Sequence, residues 1–313
     1  MDTQKARLAC KRYLEIGHCR AGDDLLIVFD ESKHDLADVL AATAREMEAN
    51  PYLLIVPTPS DGTYAPWISE FLRGVAKDQF VFVLMSHAMS RWTRAVIGRP
   101  DQGLELSPRF FSDWARPTDS WIRTESADPA ETEEYGTALL AAMSKGRSVR
   151  VTTELGTDLQ LQARGWRSSG GEIYTAPIET SAEGIVIYDA SIAWGRPSNP
   201  IKVTVRGGRL EKIESLRPDL PAADQYESHF AQSRRDRGAS VVAELGIGIN
   251  PQADPFGDFP EAEQARCTCH IEFGMNIGLG GSNRSSVHFG GAVYQPTIHV
   301  DGVMVIDRGS LIK

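Results

Sequence analysis

Ser240-Val241-Val242-Ala243-Glu244-Leu245-Gly246-Ile247-Gly248-Ile249-Asn250 decides how the C-terminal half of this chain is read. Side chains alternate along an extended strand, so residues two apart share a face. Ala243, Leu245, Ile247 and Ile249 then form an apolar face, and Glu244, Gly246, Gly248 and Asn250 the opposite one. Glycine within a strand leaves room for something to approach the backbone, so the acid stands beside open ground. A second stretch, Cys267-Thr268-Cys269-His270-Ile271-Glu272-Phe273-Gly274, sorts the same way. Its cysteines, Ile271 and Phe273 oppose Thr268, His270 and Glu272. A carboxylate and an imidazole facing one groove on a rigid sheet are what a metal or acid–base site requires.

Upstream the pattern changes. Leu25–Phe29 is a short apolar run that predicts a buried strand, and Tyr52–Val56 and Phe80–Leu84 predict a second and a third strand. Between the first two, Leu36, Val39, Leu40 and Met47 recur at helical spacing, predicting a helix over about 35–50. Another is predicted over 132–145. Alternating strands and helices favour a Rossmann-like parallel sheet covered by helices. After about Val149, short β-rich runs replace the helices: Ser148–Thr152, Gly184–Tyr188 and Ile201–Arg206, with one further helix expected between Leu220 and Arg237. Gly207-Gly208 and Asp301-Gly302 are hairpin-turn signals. The expected organisation is an α/β domain over 1–147 and a mostly β (α+β) domain over 148–313 that carries the site.

Composition narrows the function classes. The chain has 313 residues, 42% of them hydrophobic, and a net charge of -9. That charge argues against a nucleic-acid partner, whose binding face would be basic. No apolar run nears the ~20 residues of a membrane span, and Met1–Lys5 lacks the apolar core of a secretory signal. Four cysteines make no disulfide framework at this length, so a reducing cytoplasm is expected.

Three further stretches carry chemical groups: Gly171-Glu172-Ile173-Tyr174-Thr175-Ala176-Pro177, Asn283-Arg284-Ser285-Ser286-Val287-His288, and Thr297-Ile298-His299-Val300-Asp301-Gly302. Glutamate oxygen with histidine nitrogen suits zinc, manganese, iron or cobalt. Each group also has an ordinary reading. Glu244 could cap a turn, His270 could be a hydrogen-bonded structural histidine, and Asp301 serves the hairpin turn beside His299. Cys267-x-Cys269-His270 looks like half a zinc site, but alternation turns the cysteines away from the imidazole. No Gly-x-Ser-x-Gly elbow, P-loop or dinucleotide fingerprint occurs.

Taken in order, these motifs resemble the M29 metallopeptidases, the aminopeptidase T or leucyl aminopeptidase group, and in particular their shorter prokaryotic members. The resemblance rests on Gly156–Leu159, Gly171–Pro177, Ser181–Gly184, Glu244–Pro251, His270–Gly274 and Asn283–His288. The N-terminal half matches only by its α/β pattern and by Ser86-His87-Ala88-Met89-Ser90. The resemblance implies divalent metals (zinc, cobalt or manganese) held by Glu172, Glu244, His270 and His288. Glu172 and Glu244 would be catalytic, while Tyr174, Asn283 and Arg284 would hold a small peptide or other small substrate. It also implies a homodimer.

The chain departs from the family pattern at two positions. A final His-x-Asp is expected, but Gly290 stands where the aspartate should be, and Ile277 replaces an expected tyrosine. One metal at most is then expected, unless His299 or Asp301 folds inward. Two alternatives follow. The first is a non-catalytic member that binds a peptide or small metabolite. The second is an Fe(II) ring-cleaving enzyme like the related 2,5-dihydroxypyridine dioxygenases, which hold one iron with two histidines and an aspartate.

Overall fold

The computed structural model describes residues 1–58, 66–75, 79–86, 109–113, 116–192, 196–217 and 235–312. They form two compact units, Met1–Ser126 and Ala127–Lys313.

In the first unit, four parallel strands form one sheet in the order β2-β1-β3-β4. They are β1 (Asp24–Asp30), β2 (Asn50–Val56), β3 (Phe80–Leu84) and β4 (Phe110–Ser112). The apolar run Leu25–Phe29 makes β1 an inner strand, paired on both sides. Its alternation serves two cores. Leu25, Ile27 and Phe29 pack with Leu14, Leu40 and Trp121, whereas Val28 packs with Val81, Val83 and Ile68. Among the described residues, helices α1 (Thr3–Ile16), α2 (His34–Glu46), α3 (Pro66–Val75) and α4 (Thr118–Glu125) accompany the sheet. Asp2 caps α1, its Oδ1 accepting from the backbone N–H groups of Gln4 and Lys5.

The second unit begins with α5 (Pro129–Met143). Leu139 and Met143 of this helix lie in the core of the β-rich unit. The division therefore falls at Ser126 and Ala127, ahead of the expected boundary near 147. Helical periodicity identifies the helix, but only packing decides which core it joins.

Thirteen strands follow among the described residues, named in chain order. They are β5 (Ser148–Thr152), β6 (Asp158–Gln162), β7 (Arg167–Ser169), β8 (Glu172–Thr175), β9 (Glu183–Tyr188), β10 (Ile201–Arg206) and β11 (Arg209–Ser215), then β12 (Val242–Gly248), β13 (Thr268–Gly274), β14 (His288–Tyr294), β15 (Thr297–Val300), β16 (Val303–Asp307) and β17 (Ser310–Leu311). Eight of them form a sheet ordered β11-β10-β9-β6-β5-β15-β16-β17, and five form another ordered β14-β13-β12-β8-β7. Both expected hairpin turns occur. Gly207 and Gly208 join β10 to β11, and Asp301 and Gly302 join β15 to β16, all four residues at positive φ.

The two sheets share one core. Val149, Val151, Leu161 and Val203 of the larger sheet pack with Leu245, Ile247, Ile271 and Phe273 of the smaller. Tyr188 on β9 ties them together, its hydroxyl donating to the Ile271 carbonyl at 2.9 Å. The other face of β12 and β13 carries Glu244, His270 and Glu272. It is covered as well: in the segment leading to β13, Phe259, on the four-residue helix α6 (Phe259–Ala262), meets His270 edge-on at 6.2 Å.

The expected helix between Leu220 and Arg237 falls almost wholly outside the described residues, as do His229 and all of Ser86–Ser90 but Ser86. Among the described residues, no helix is long and apolar enough to cross a membrane.

Candidate metal centre

Strand register assembles the site. Glu244 on β12 lies opposite Glu272 on β13, and Glu272 lies opposite Gly290 on β14. One row over, Gly246 sits between Tyr174 on β8 and His270 on β13. Glycine is needed at 246. A Cβ there would run into the His270 imidazole and stand 2.8 Å from Glu172 Oε2. The open ground foreseen at Gly246 is thus filled by side chains from neighbouring strands, and that at Gly248 by the backbone of Gln264 and Ala265.

Four acids and two imidazoles converge on this face. His270 Nε2 lies 3.1 Å from Glu172 Oε2 and 3.9 Å from Glu244 Oε1. His288 Nε2 lies 3.2 Å from Glu244 Oε2 and 2.6 Å from Glu272 Oε2. Among the described residues, three donor sets have their ligand atoms within 4.8 Å of one another. They are Glu172–Glu244–His270, Glu244–Glu272–His288 and Glu263–His270–Glu272. Glu244 belongs to the first two, one oxygen toward each imidazole.

The surroundings hold these groups in place. His288 Nδ1 sits 2.8 Å from the Met275 carbonyl, so it donates there and leaves Nε2 turned to the acids. His270 is 1% exposed, and its Nδ1 has no hydrogen-bond partner among the described residues. Glu244 and Glu272 are 4% and 6% exposed.

Electrostatics follow from this crowding. Burial would raise the Glu244 carboxyl, but hydrogen bonds and charge from His270 and His288 outweigh it and hold it at about 2. Burial raises Glu172 despite the opposing pull of His270. Glu263 is pushed well above the usual carboxylate range by burial and then by the charge of Glu172. Burial disfavours both imidazolium ions, yet the facing carboxylates raise His270 and His288 well above their ordinary value.

None of Glu172, Glu244, Glu263 and Glu272 pairs with lysine or arginine among the described residues; the two imidazoles are the cationic groups that face them. Buried carboxylates are costly unless a proton or a counter-ion neutralises them. Oxygen and imidazole donors fit a divalent cation, and a metal displacing the imidazole protons would balance the cluster.

Glu172, Glu244, His270 and His288 therefore come together as the sequence suggested. Tyr174, half-buried, shares their strand face two residues from Glu172. Asn283 does not join them. Its Nδ2 donates to the Gly274 carbonyl at 2.6 Å and the Gly238 carbonyl at 2.9 Å, so it ties a loop together. Arg284, beside it, is exposed. His299 and Asp301 stay with the eight-stranded sheet, where Asp301 accepts from the backbone N–H groups of Arg147 and Ser148. Neither replaces the carboxylate missing at 290. Cys269 lies in the core between the sheets, burial pushing its thiol up to about 12.

Two acids were missed as site residues. Glu272 shares strand parity with His270, a signal present in the sequence. Glu263 lies in an irregular segment and carries no periodic signal.

No family model matches the chain, and no curated protein matches it by sequence. Solved structures do match. 2,5-Dihydroxypyridine dioxygenase from Pseudomonas putida KT2440 superposes with a TM-score of 0.68 at 13% identity, over 100% of this chain and 98% of that one. AmpT from Thermus thermophilus superposes with a TM-score of 0.65 at 16% identity, over 100% of both chains. End to end, this chain has the fold that those two proteins share.

Proposed function

We propose that this protein is a metal-dependent hydrolase of the aminopeptidase type, cleaving a peptide or related amide bond. One observation carries the reading: Glu244 faces two imidazoles, each with a further carboxylate, giving two carboxylate-rich donor sets that share one residue. When bound, divalent metal supplies Lewis acidity toward a carbonyl and a water made nucleophilic near neutral pH.

The chain's own residues do the rest. Glu172, Glu244, His270, Glu272 and His288 would hold the ions, with the Met275 carbonyl orienting His288. Glu172, whose side chain is 17% exposed against 6% for Glu244 and 7% for Glu272, would hold an ion together with Glu244 and His270. Phe259 keeps water from one side of His270. Tyr174, on the same face, is the nearest candidate for contact with substrate.

The dioxygenase reading requires two histidines and a carboxylate around one iron. Here the imidazoles fall in separate donor sets among the described residues, which favours hydrolysis. The test is to purify the protein without chelators, measure its metals, and assay amino-acid anilides with zinc, cobalt or manganese. Hydrolysis that is lost on chelation and restored by metal is the expected result. Turnover only with ferrous iron and oxygen would overturn the proposal.

A further inference from the structure

We infer that Glu272 is the metal ligand that stands in for the carboxylate missing at Gly290, delivered across one strand pair. This rests on the metallohydrolase reading and adds a specific ligand to it. The resemblance leads one to expect the acid on β14, two residues beyond His288. The acid found beside His288 comes from β13 instead, with its Oε2 2.6 Å from His288 Nε2.

Glu272 and Gly290 are direct partners in the antiparallel register. The Cβ atoms of such partners stand roughly 4.5–5.5 Å apart, so a glutamate on one strand can reach over a partner that has no side chain. A Cβ at 290 would lie 2.5 Å from Glu272 Cγ and 2.7 Å from its Cα, and would collide with the Ile271 carbonyl. Glycine at 290 and glutamate at 272 are therefore one feature: the glycine clears the path that the glutamate occupies.

The position has the properties of a ligand. Glu272 is nearly buried, has no lysine or arginine partner among the described residues, and shares a donor set with Glu244 and His288. His288 is held by Met275 with Nε2 directed at the same two acids. Glu244–Glu272–His288 then forms a complete three-donor position beside Glu172–Glu244–His270. The loss at 290 does not reduce the site to one ion, and two divalent ions are expected.

The experiment titrates zinc, and separately cobalt(II), into chelator-treated protein. It reads stoichiometry by calorimetry and by elemental analysis after gel filtration. Wild type should bind two equivalents, and Glu272→Ala should bind one while retaining native circular dichroism. Glu272→Gln, close in size to the native residue, covers the case in which the alanine variant misfolds, and should also bind one. If both variants match wild type, Glu272 is not a ligand and the inference fails. If wild type binds no metal, the metallohydrolase reading itself fails, a distinct result.

Discussion

Each unit of this protein buries charged groups, and the two clusters are built on opposite principles. In the first unit, Lys33 Nζ lies 2.8 Å from Asp113, and Arg116 Nη1 lies 3.1 Å from Glu125. Asp30 accepts from the hydroxyl and backbone N–H of both Ser32 and Ser86. There, cations and hydrogen-bond donors of the chain itself meet the acids. In the second unit, Glu172, Glu244, Glu263 and Glu272 face only two imidazoles. The first cluster is complete as the chain supplies it. The second has no lysine or arginine partner among the described residues, and its side chains are ones that could hold a metal ion.

Glu244→Ala tests the contrast most severely, because it removes the acid common to both main donor sets. Metal retention and hydrolysis should fall to background while the protein stays soluble, as elemental analysis and an anilide assay would read. His270→Ala should strip the Glu172 side of the centre in the same way. Unchanged metal content in both variants would mean that the site is misassigned.

Lys33→Ala probes the self-sufficient cluster. It takes away the ammonium facing a fully buried Asp113 and should cost about 3–5 kcal/mol in urea unfolding. That loss should be the same with or without chelator. Chelation of the wild type, by contrast, should lower the unfolding temperature only if metal is bound, by an amount set by metal affinity.

Gly290→Asp would put a carboxylate two residues after His288, where the M29 pattern has one, yet it should not add metal. Its Cβ has no room beside the Ile271 carbonyl and Glu272, so destabilisation of about 1–3 kcal/mol from overpacking is expected. A gain in zinc or cobalt stoichiometry would show that β13 and β14 can separate.

The smallest effect concerns an acid outside both clusters. Burial would raise Glu179, but Arg164, Ser282 and Asn276 outweigh it and hold its carboxyl at about 2, against an ordinary 4.5. A lowered carboxyl stabilises the fold fully above about 4.5 and loses that contribution as pH falls toward about 2. Glu179→Gln should therefore cost about 1 kcal/mol at neutral pH and weaken the acid dependence of urea midpoints over that window.

Much of this was legible in the residues. The apolar runs at Leu25, Tyr52 and Phe80 appear as adjacent parallel strands, as their alternation with helices suggested, but only β1 and β3 are buried: β2 is an edge strand whose Tyr52, Leu53 and Ile55 are exposed. The alternation in Ser240–Asn250 separated the core residues Leu245 and Ile247 from Glu244. The same rule turned Cys269 inward, away from His270. Other features were not legible. The face carrying Glu244 looked like an open groove, but Glu244, His270 and Glu272 are nearly buried and Phe259 meets His270 edge-on, since cover from another segment leaves no mark on the strand it covers. Asn283 looked like a substrate contact because it stands near His288 in the chain, but its amide is spent on two backbone carbonyls.

By itself, the sequence determined which side chains share a strand face, because alternation depends only on neighbours two residues apart. Tertiary structure alone decided which strands lie side by side, that Glu244 turns one oxygen to each histidine, and that Glu272 fills the space left at Gly290. Those relations arise from the register between segments far apart in the chain, and register is set by packing both sheets around one core.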